Sequence, residues 1–207
     1  MISPLYRLSS ILVNQAAYIS SLAPRWVFRI SINFAELVVS LSLKCTVRFL
    51  GLVKYHTMFL FRTLVDLVVY DVPGRLLRFC VMYVLLSPHF NARLVVRTQT
   101  DTIIPLVSCI RIFQNANWLE REAWDMFGIF FFQHTDLRRI LSDYGFVGHP
   151  LRKDFSLVGY VEVAFSVFFS RIVYLPPSLV QEIRVFNYGP QVRSNATVTP
   201  TGVKSLY

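Results

Sequence analysis

Three stretches decide the fold: Leu64-Val-Asp-Leu-Val-Val-Tyr-Asp-Val72, Arg78-Phe-Cys-Val-Met-Tyr-Val-Leu-Leu-Ser87 and Ala92-Arg-Leu-Val-Val-Arg-Thr-Gln-Thr100. Each is rich in the β-branched and aromatic residues that fit a pleated surface. The middle run is apolar on both faces from Phe79 to Leu86, the pattern of a strand with a neighbour on either side. Pro73-Gly74 and Pro88 punctuate the series. Links this short join antiparallel neighbours, because a parallel pair needs a crossover of a dozen or more residues. Upstream, Trp26, Phe28, Ile30 and Ile32 alternate with Arg25, Arg29 and Ser31; Leu37, Val39, Leu41 and Leu43 then alternate with Ser40, Ser42 and Lys44. Asn33-Phe34-Ala35 between them predicts a hairpin. Residues 5–22 carry Leu5, Leu8, Ile11, Leu12, Ala16 and Ile19 at helical spacing, and residues 47–56 form a weaker helix candidate. Downstream of Pro105 the period becomes helical from about Val107 to Phe127. Val161, Val163, Phe165 and Val167 then predict one late strand, closed by Pro176-Pro177. The expected fold is α+β, a largely antiparallel sheet with flanking helices and an extended C-terminal arm. The expected segments are an N-terminal helix over 1–23, a body over 24–130, an arm over 131–188 and a tail over 189–207.

Composition narrows the class. A chain of 207 residues suits one domain with extensions. Hydrophobic residues make up 54% and charged residues 16%, with a mean hydropathy of +0.48; a soluble domain carries about 25% charge. Yet the longest uncharged run, between Arg7 and Arg25, is diluted by serines, Asn14 and Gln15. A membrane span needs about 20 mostly apolar residues, so none is expected. An apolar surplus without a span fits a subunit of something larger. The net charge of +9 admits nucleic acid, an anionic membrane surface or acidic partner subunits. The basic residues are scattered, with no run beyond Arg138-Arg139 or Arg152-Lys153, which argues against a dedicated nucleic-acid binder. Cys45, Cys80 and Cys109 form no CxxC, and both zinc ribbons and iron–sulfur sites need clustered thiolates. Buried, reduced cysteines and a reducing compartment are the expectation. The first acidic residue is Glu36, after Arg7, Arg25, Arg29 and several serines, which is how a transit peptide reads. The reading preferred here is a retained helix that docks on the body or on a neighbour.

The chemistry-bearing residues concentrate between Ala116 and Tyr160. On a helix Arg121 and Asp125 lie four apart and can pair. Glu120, Trp124 and Phe127 share another face, a mixture that suits an interface or, equally, a helix with its Trp in the core. Glu120 and Glu122 point about 200° apart and cannot act as a carboxylate pair. His134 and Arg138 lie four apart, and Asp136 and Arg139 three apart, consistent with a short helix carrying its acid early and its arginines late. His134, Asp136 and His149 match no defensible metal spacing. Nucleophile elbows, P-loops and dinucleotide fingerprints are absent. No active site is expected within the chain.

The run Ala116-Asn-Trp-Leu-Glu-Arg-Glu-Ala-Trp-Asp-Met-Phe-Gly128 resembles the signature helix of the thirty-kilodalton subunit family of NADH:ubiquinone oxidoreductase (complex I), the subunit-nine type of mitochondria and the C type of bacteria. The likeness continues through His134, Asp136-Leu-Arg-Arg-Ile-Leu141, Asp143-Tyr-Gly-Phe146, Gly148-His-Pro-Leu-Arg-Lys-Asp-Phe155 and Gly159-Tyr-Val-Glu-Val163. Upstream it includes Leu64-Val-Asp66, Asp71-Val-Pro73, Arg78-Phe79, Tyr83-Val-Leu-Leu-Ser87, Phe90-Asn-Ala-Arg93 and Val96-Arg97, so that it covers about residues 24–188. Leu119, Thr135, Val147 and Ser156 depart from the family pattern, and Ala164-Phe-Ser-Val-Phe-Phe-Ser170 replaces a charged stretch. The resemblance implies a cofactor-free core subunit of the peripheral arm, bracing the quinone-reducing module and supporting electron transfer from NADH to ubiquinone coupled to proton translocation. FMN and iron–sulfur clusters would sit in neighbouring subunits. The chief partner would be the hydrogenase-like 49 kDa-type quinone-site subunit, and the location the matrix side of the mitochondrial inner membrane. Subunit contacts would fall to Glu120, Arg121, Glu122, Asp125, His134, Arg138, Arg139, Asp143, Tyr144, His149, Arg152, Lys153, Asp154 and Tyr160. The alternatives are the equivalent subunit of a membrane-bound hydrogenase-type complex and, from another class, a basic organellar RNA-binding or ribosomal protein.

Overall fold

A computed structural model describes residues 4–33, 36–179, 181 and 184, with residues 4–11 as backbone only. Helix α1 (Pro4–Leu22) leads into strands β1 (Val27–Asn33) and β2 (Glu36–Leu41), and a single 3-10 turn precedes α2 (Thr46–Tyr55). Strands β3 (Thr63–Asp71), β4 (Phe79–Ser87) and β5 (Ala92–Thr100) follow. The five strands form one sheet in the order β1-β2-β5-β4-β3. Antiparallel pairing joins β1 to β2, β3 to β4 and β4 to β5. The exception to the expected antiparallel pattern is β2, which lies parallel to β5 with Leu37 opposite Leu94 and Ser40 opposite Arg97. The intervening α2, β3 and β4 supply the long crossover that a parallel pair requires. β4 is interior as its two-sided apolar run predicts, but the middle position belongs to β5.

Alternation decides the two faces. Phe79, Val81, Tyr83 and Leu85 of β4 are fully buried, together with Leu94 and Val96 of β5, Leu37 and Val39 of β2, and Leu64 of β3. Ile19 of α1, and Phe49, Leu50 and Val53 of α2, belong to the same core. The opposite face is only half covered: Met82, Val84 and Leu86 are partly exposed, and Val68 is exposed. Among the described residues no helix is long and apolar enough to cross a membrane.

The helix expected from Val107 starts only at α3 (Ala116–Phe127), because β6 (Leu106–Val107) pairs in parallel with β7 (Phe131–Phe132) and turns fill the interval. The short helix read over 134–139 is absent; those residues form turns and extended backbone. The late strand is β8 (Glu162–Ser166), and it has an antiparallel partner that pattern reading missed, β9 (Arg171–Leu175). The chain divides into two compact units, residues 1–159 and residues 160–207. Residues 131–159, assigned from sequence to the arm, therefore fold with the body. The tail read over 189–207 and Phe34-Ala35 of the hairpin turn lie outside the described residues.

Candidate functional site

α3 is built to be gripped. The Asn115 side chain at its start donates to the Leu64 carbonyl of β3 at 2.5 Å, tying the helix to the sheet. Its end is Gly128, left-handed at φ +73°, whose N–H reaches the Trp124 carbonyl at 2.8 Å. A glycine there costs nothing in backbone strain. Here it has a second role, because a Cβ would collide with the Arg152 guanidinium and the His149 ring.

Asp125 is the centre of the grip. Its side chain is fully buried and accepts from the backbone N–H groups of Ile140 (3.2 Å), Leu141 (2.8 Å) and Ser142 (2.8 Å), from the Ser142 hydroxyl, and from Arg139 Nη1 at 2.9 Å. Burial alone would raise its pKa, but the Ser142, Leu141 and Arg139 donors outweigh it and hold the carboxyl down at about 2. A carboxylate cradled by several N–H groups is stabilised as the anion. Arg139 also donates to the Gly148 carbonyl at 2.9 Å, so one guanidinium spans both ends of the 139–148 loop.

The segment after Gly148 closes over the helix end. His149 Nδ1 donates to the Asp125 carbonyl at 3.0 Å; a carbonyl only accepts, so this nitrogen carries the proton. Burial, aided by the Arg152 and Arg139 charges, lowers the His149 pKa despite that bond, and the ring is neutral at neutral pH. Leu151 N–H donates to the Met126 carbonyl, and Arg152 Nε donates to the Phe127 carbonyl at 2.7 Å while its guanidinium lies over the Phe79 ring. Arg78 then joins this segment to the sheet. It holds Asp71 through two bonds of 2.6 and 2.5 Å and Asp154 at 2.8 Å, and Lys153 N–H donates to Asp71 at 2.9 Å. The Arg78 bonds lower the pKa of both Asp71 and Asp154.

A second buried group lies on the inner side of α3. Glu120 accepts from Ser108 Oγ at 2.6 Å and from Cys109 N–H at 2.7 Å. His134 Nε2 lies 3.9 Å from Glu120 and 3.3 Å from the Asn117 carbonyl, while its Nδ1 accepts from Asp136 N–H. Burial raises the pKa of Glu120, opposed by the Ser108 and Cys109 donors. Burial beside Glu120 likewise pushes the Cys109 thiol up, so this cysteine is an inert core thiol.

The residues expected at subunit contacts therefore separate into two sets. Glu120, Arg121, Asp125, His134, Arg139, His149 and Arg152 turn inward and engage partners within this chain. The expected Arg121–Asp125 pair is not formed: Arg121 donates to the Arg138 carbonyl at 3.2 Å and lies over Trp118, whereas Asp125 takes Arg139. Tertiary partners offering several donors displace a helix-surface pair of only about 0.2–0.5 kcal/mol. Glu122, Arg138, Asp143, Tyr144, Lys153, Asp154 and Tyr160 are exposed. Arg138 pairs with Asp136 on the surface at 3.0 Å, and Asp154 keeps its exposed bond to Arg78. Sequence reading gave no role to Asp71, Arg78, Ser108 or Ser142. A lone carboxylate at the end of an apolar strand, with Arg seven residues on, was the available signal for the first two.

The outer surface of the same segment is apolar. Tyr144 is 97% exposed, Val147 84% and Leu157 82%, and Leu151 is exposed as well. Arg139, His149 and Arg152 turn inward while these large apolar groups stand outward beside the exposed Asp143, Lys153 and Asp154. Among the described residues no group of three or more His, Cys, Asp or Glu is placed to hold a metal. The three cysteines do not fit an iron–sulfur cluster, which needs four ligands in one place. Cys109 is in the core, Cys80 is on the other sheet face bonded to Arg97, and Cys45 is in the turn before α2.

In fold, this is an α+β module of a kind found in respiratory membrane assemblies. A chain of the membrane-bound sulfane sulfur reductase, an archaeal respiratory membrane complex, superposes with a TM-score of 0.61 at 20% identity, covering 70% of this chain and 85% of that one. The family described as "Respiratory-chain NADH dehydrogenase, 30 Kd subunit" matches residues 39–161, more than half of the sequence, and the chain belongs to that family. NADH dehydrogenase (ubiquinone) iron-sulfur protein 3 of Patellifolia webbiana is 49% identical over 135 residues, 65% of this chain and 70% of that protein. The probable NADH-ubiquinone oxidoreductase 30.4 kDa subunit, mitochondrial, of Candida maltosa is 41% identical over 175 residues, 84% of this chain but 63% of that protein's own length.

Proposed function

We propose that this member of the thirty-kilodalton family is a cofactor-free bracing subunit of the peripheral arm of NADH:ubiquinone oxidoreductase. It works in the mitochondrion, on the matrix side of the inner membrane. In this reading it stands beside the hydrogenase-like quinone-site subunit, while flavin and iron–sulfur clusters belong to neighbours. It supports electron transfer from NADH to ubiquinone, and the proton translocation coupled to it, by holding its partners in place. The observation that carries the reading is the arrangement at 139–159. Buried polar anchors fix that backbone to α3 and the sheet, so that Tyr144, Val147, Leu151 and Leu157 stand outward on a rigid frame. A preorganised apolar patch suits burial against a partner subunit, because little ordering remains to oppose association.

The test is Tyr144→Asp combined with Leu157→Asp. The expected result on a native gel is less of the large NADH-oxidising complex containing this chain, with unchanged quinone-reducing turnover per assembled complex. Normal assembly with slowed turnover would overturn the bracing role.

A further inference from the structure

One groove on the sheet carries charge that the clasp does not use. Its volume is about 620 Å³, and four basic side chains line it with no Asp or Glu among them: Arg29, Lys44, Arg75 and Arg97. Strand register accounts for two of them. Arg29 of β1 is opposite Ser40 of β2, which is opposite Arg97 of β5, so both arginines share one cross-strand row roughly 10 Å apart. Lys44 comes from the turn after β2, and Arg75 from the loop between β3 and β4. The ion pairs of the described residues involve other arginines. Arg97 touches Cys80 Sγ at 2.8 Å and the Tyr70 ring, neither of which neutralises it. Four like charges without a carboxylate repel one another, a cost that an anionic partner removes. Of the apolar residues that line it, Phe28 is 77% exposed and Ile104 42%.

We infer that this groove receives an acidic segment of a neighbouring subunit, one that sets carboxylates against the four cations and an apolar side chain against Phe28. The inference rests on the subunit reading above and names a second contact surface, separate from the 139–159 loop. Charge complementarity favours a polypeptide. Arginines and exposed aromatics spread along an open groove match the anchors of a protein interface, and Arg29 and Arg97, two strands apart, face successive carboxylates along a chain. The experiment places the photo-crosslinker p-benzoyl-phenylalanine at position 28 and irradiates the assembled complex. The expected product joins this chain to a peptide of another subunit that carries an excess of Asp and Glu. Arg29→Glu with Lys44→Glu should reduce that product at least tenfold, while Arg29→Lys retains it and the thermal midpoint of the purified chain stays the same. Crosslinks to phospholipid, to a peptide without acidic excess, or to nothing in a complex that contains the chain would overturn the groove assignment alone. Absence of the chain from the NADH-oxidising complex would overturn the subunit reading instead.

Discussion

The 139–159 segment and the β8–β9 hairpin both present large apolar side chains, yet they do so by opposite means. The first has almost no regular secondary structure and is nonetheless fixed, because Asp125, Arg139 and Asp71 satisfy its backbone and Arg152 ties it to the last carbonyl of α3. The second has full strand pairing, and its large apolar side chains are exposed. Val163, Phe165, Ile172 and Tyr174 are all exposed, and Phe168 at the tip is 89% exposed. A two-stranded hairpin is at best marginally stable in water by itself. Polar anchoring and strand pairing are thus two separate ways in which this chain presents an apolar surface.

Mutation and acid titration test that contrast. The largest effect belongs to Asp125→Ala, which leaves Arg139 and three backbone N–H groups without their acceptor. Removing one partner of a buried ion pair costs about 3–5 kcal/mol, so urea unfolding should move to much lower denaturant. A change below ~1 kcal/mol would mean that the loop is held by something else. Glu120→Ala should cost about 2–3 kcal/mol by stranding Ser108 Oγ and Cys109 N–H. Glu120→Gln, which keeps an acceptor, should restore most of that.

Acid supplies a third measurement, without mutation. The Asp125 carboxyl titrates at about 2 in the folded chain, against an ordinary 3.8. Its stabilisation is thus complete above the unfolded value and is lost as pH falls from about 4 toward 2. The linked loss is about 2 kcal/mol, and Asp125→Asn should flatten that limb of the stability–pH curve. The smallest effect is expected at the hairpin. Phe168→Ser with Val167→Ser should alter the stability of the free chain by less than ~0.5 kcal/mol while lowering incorporation into the complex. A large loss of stability in the free chain would show that the hairpin is anchored as firmly as the loop.

The sheet strands and both early helices were legible because each follows a single period, from Leu64–Val72 to the alternation around Ile30 and Val39. The parallel β2–β5 pair was not. Strand patterns report which face is buried, and carry no information on which distant strand comes alongside. The start of α3 was misread because the turns after Val107 are apolar, with Ile110, Ile112 and Phe113 packed at the core, and apolar turns mimic helical spacing. At the site, the residue types were identified and their direction was not. Charged residues on an amphipathic helix are read as outward by default, whereas Glu120 and Asp125 face inward because Ser108, Cys109, Ser142 and Arg139 await them. Those partners lie 11 to 17 positions away, beyond the reach of any local pattern.

The parallel β2–β5 pair also has a consequence for synthesis on the ribosome. The β1–β2 hairpin is local and can form early, but the inner edge of β2 has no strand to meet until Arg97 has left the exit tunnel. In the meantime an apolar strand edge is open to any other extended chain nearby. Completion of the sheet thus depends on a pairing between residues 37–40 and 94–97, and long-range pairings of that kind are the slow ones. A pause in translation before residues 94–97 have cleared the tunnel would prolong the exposure, and a later one would not.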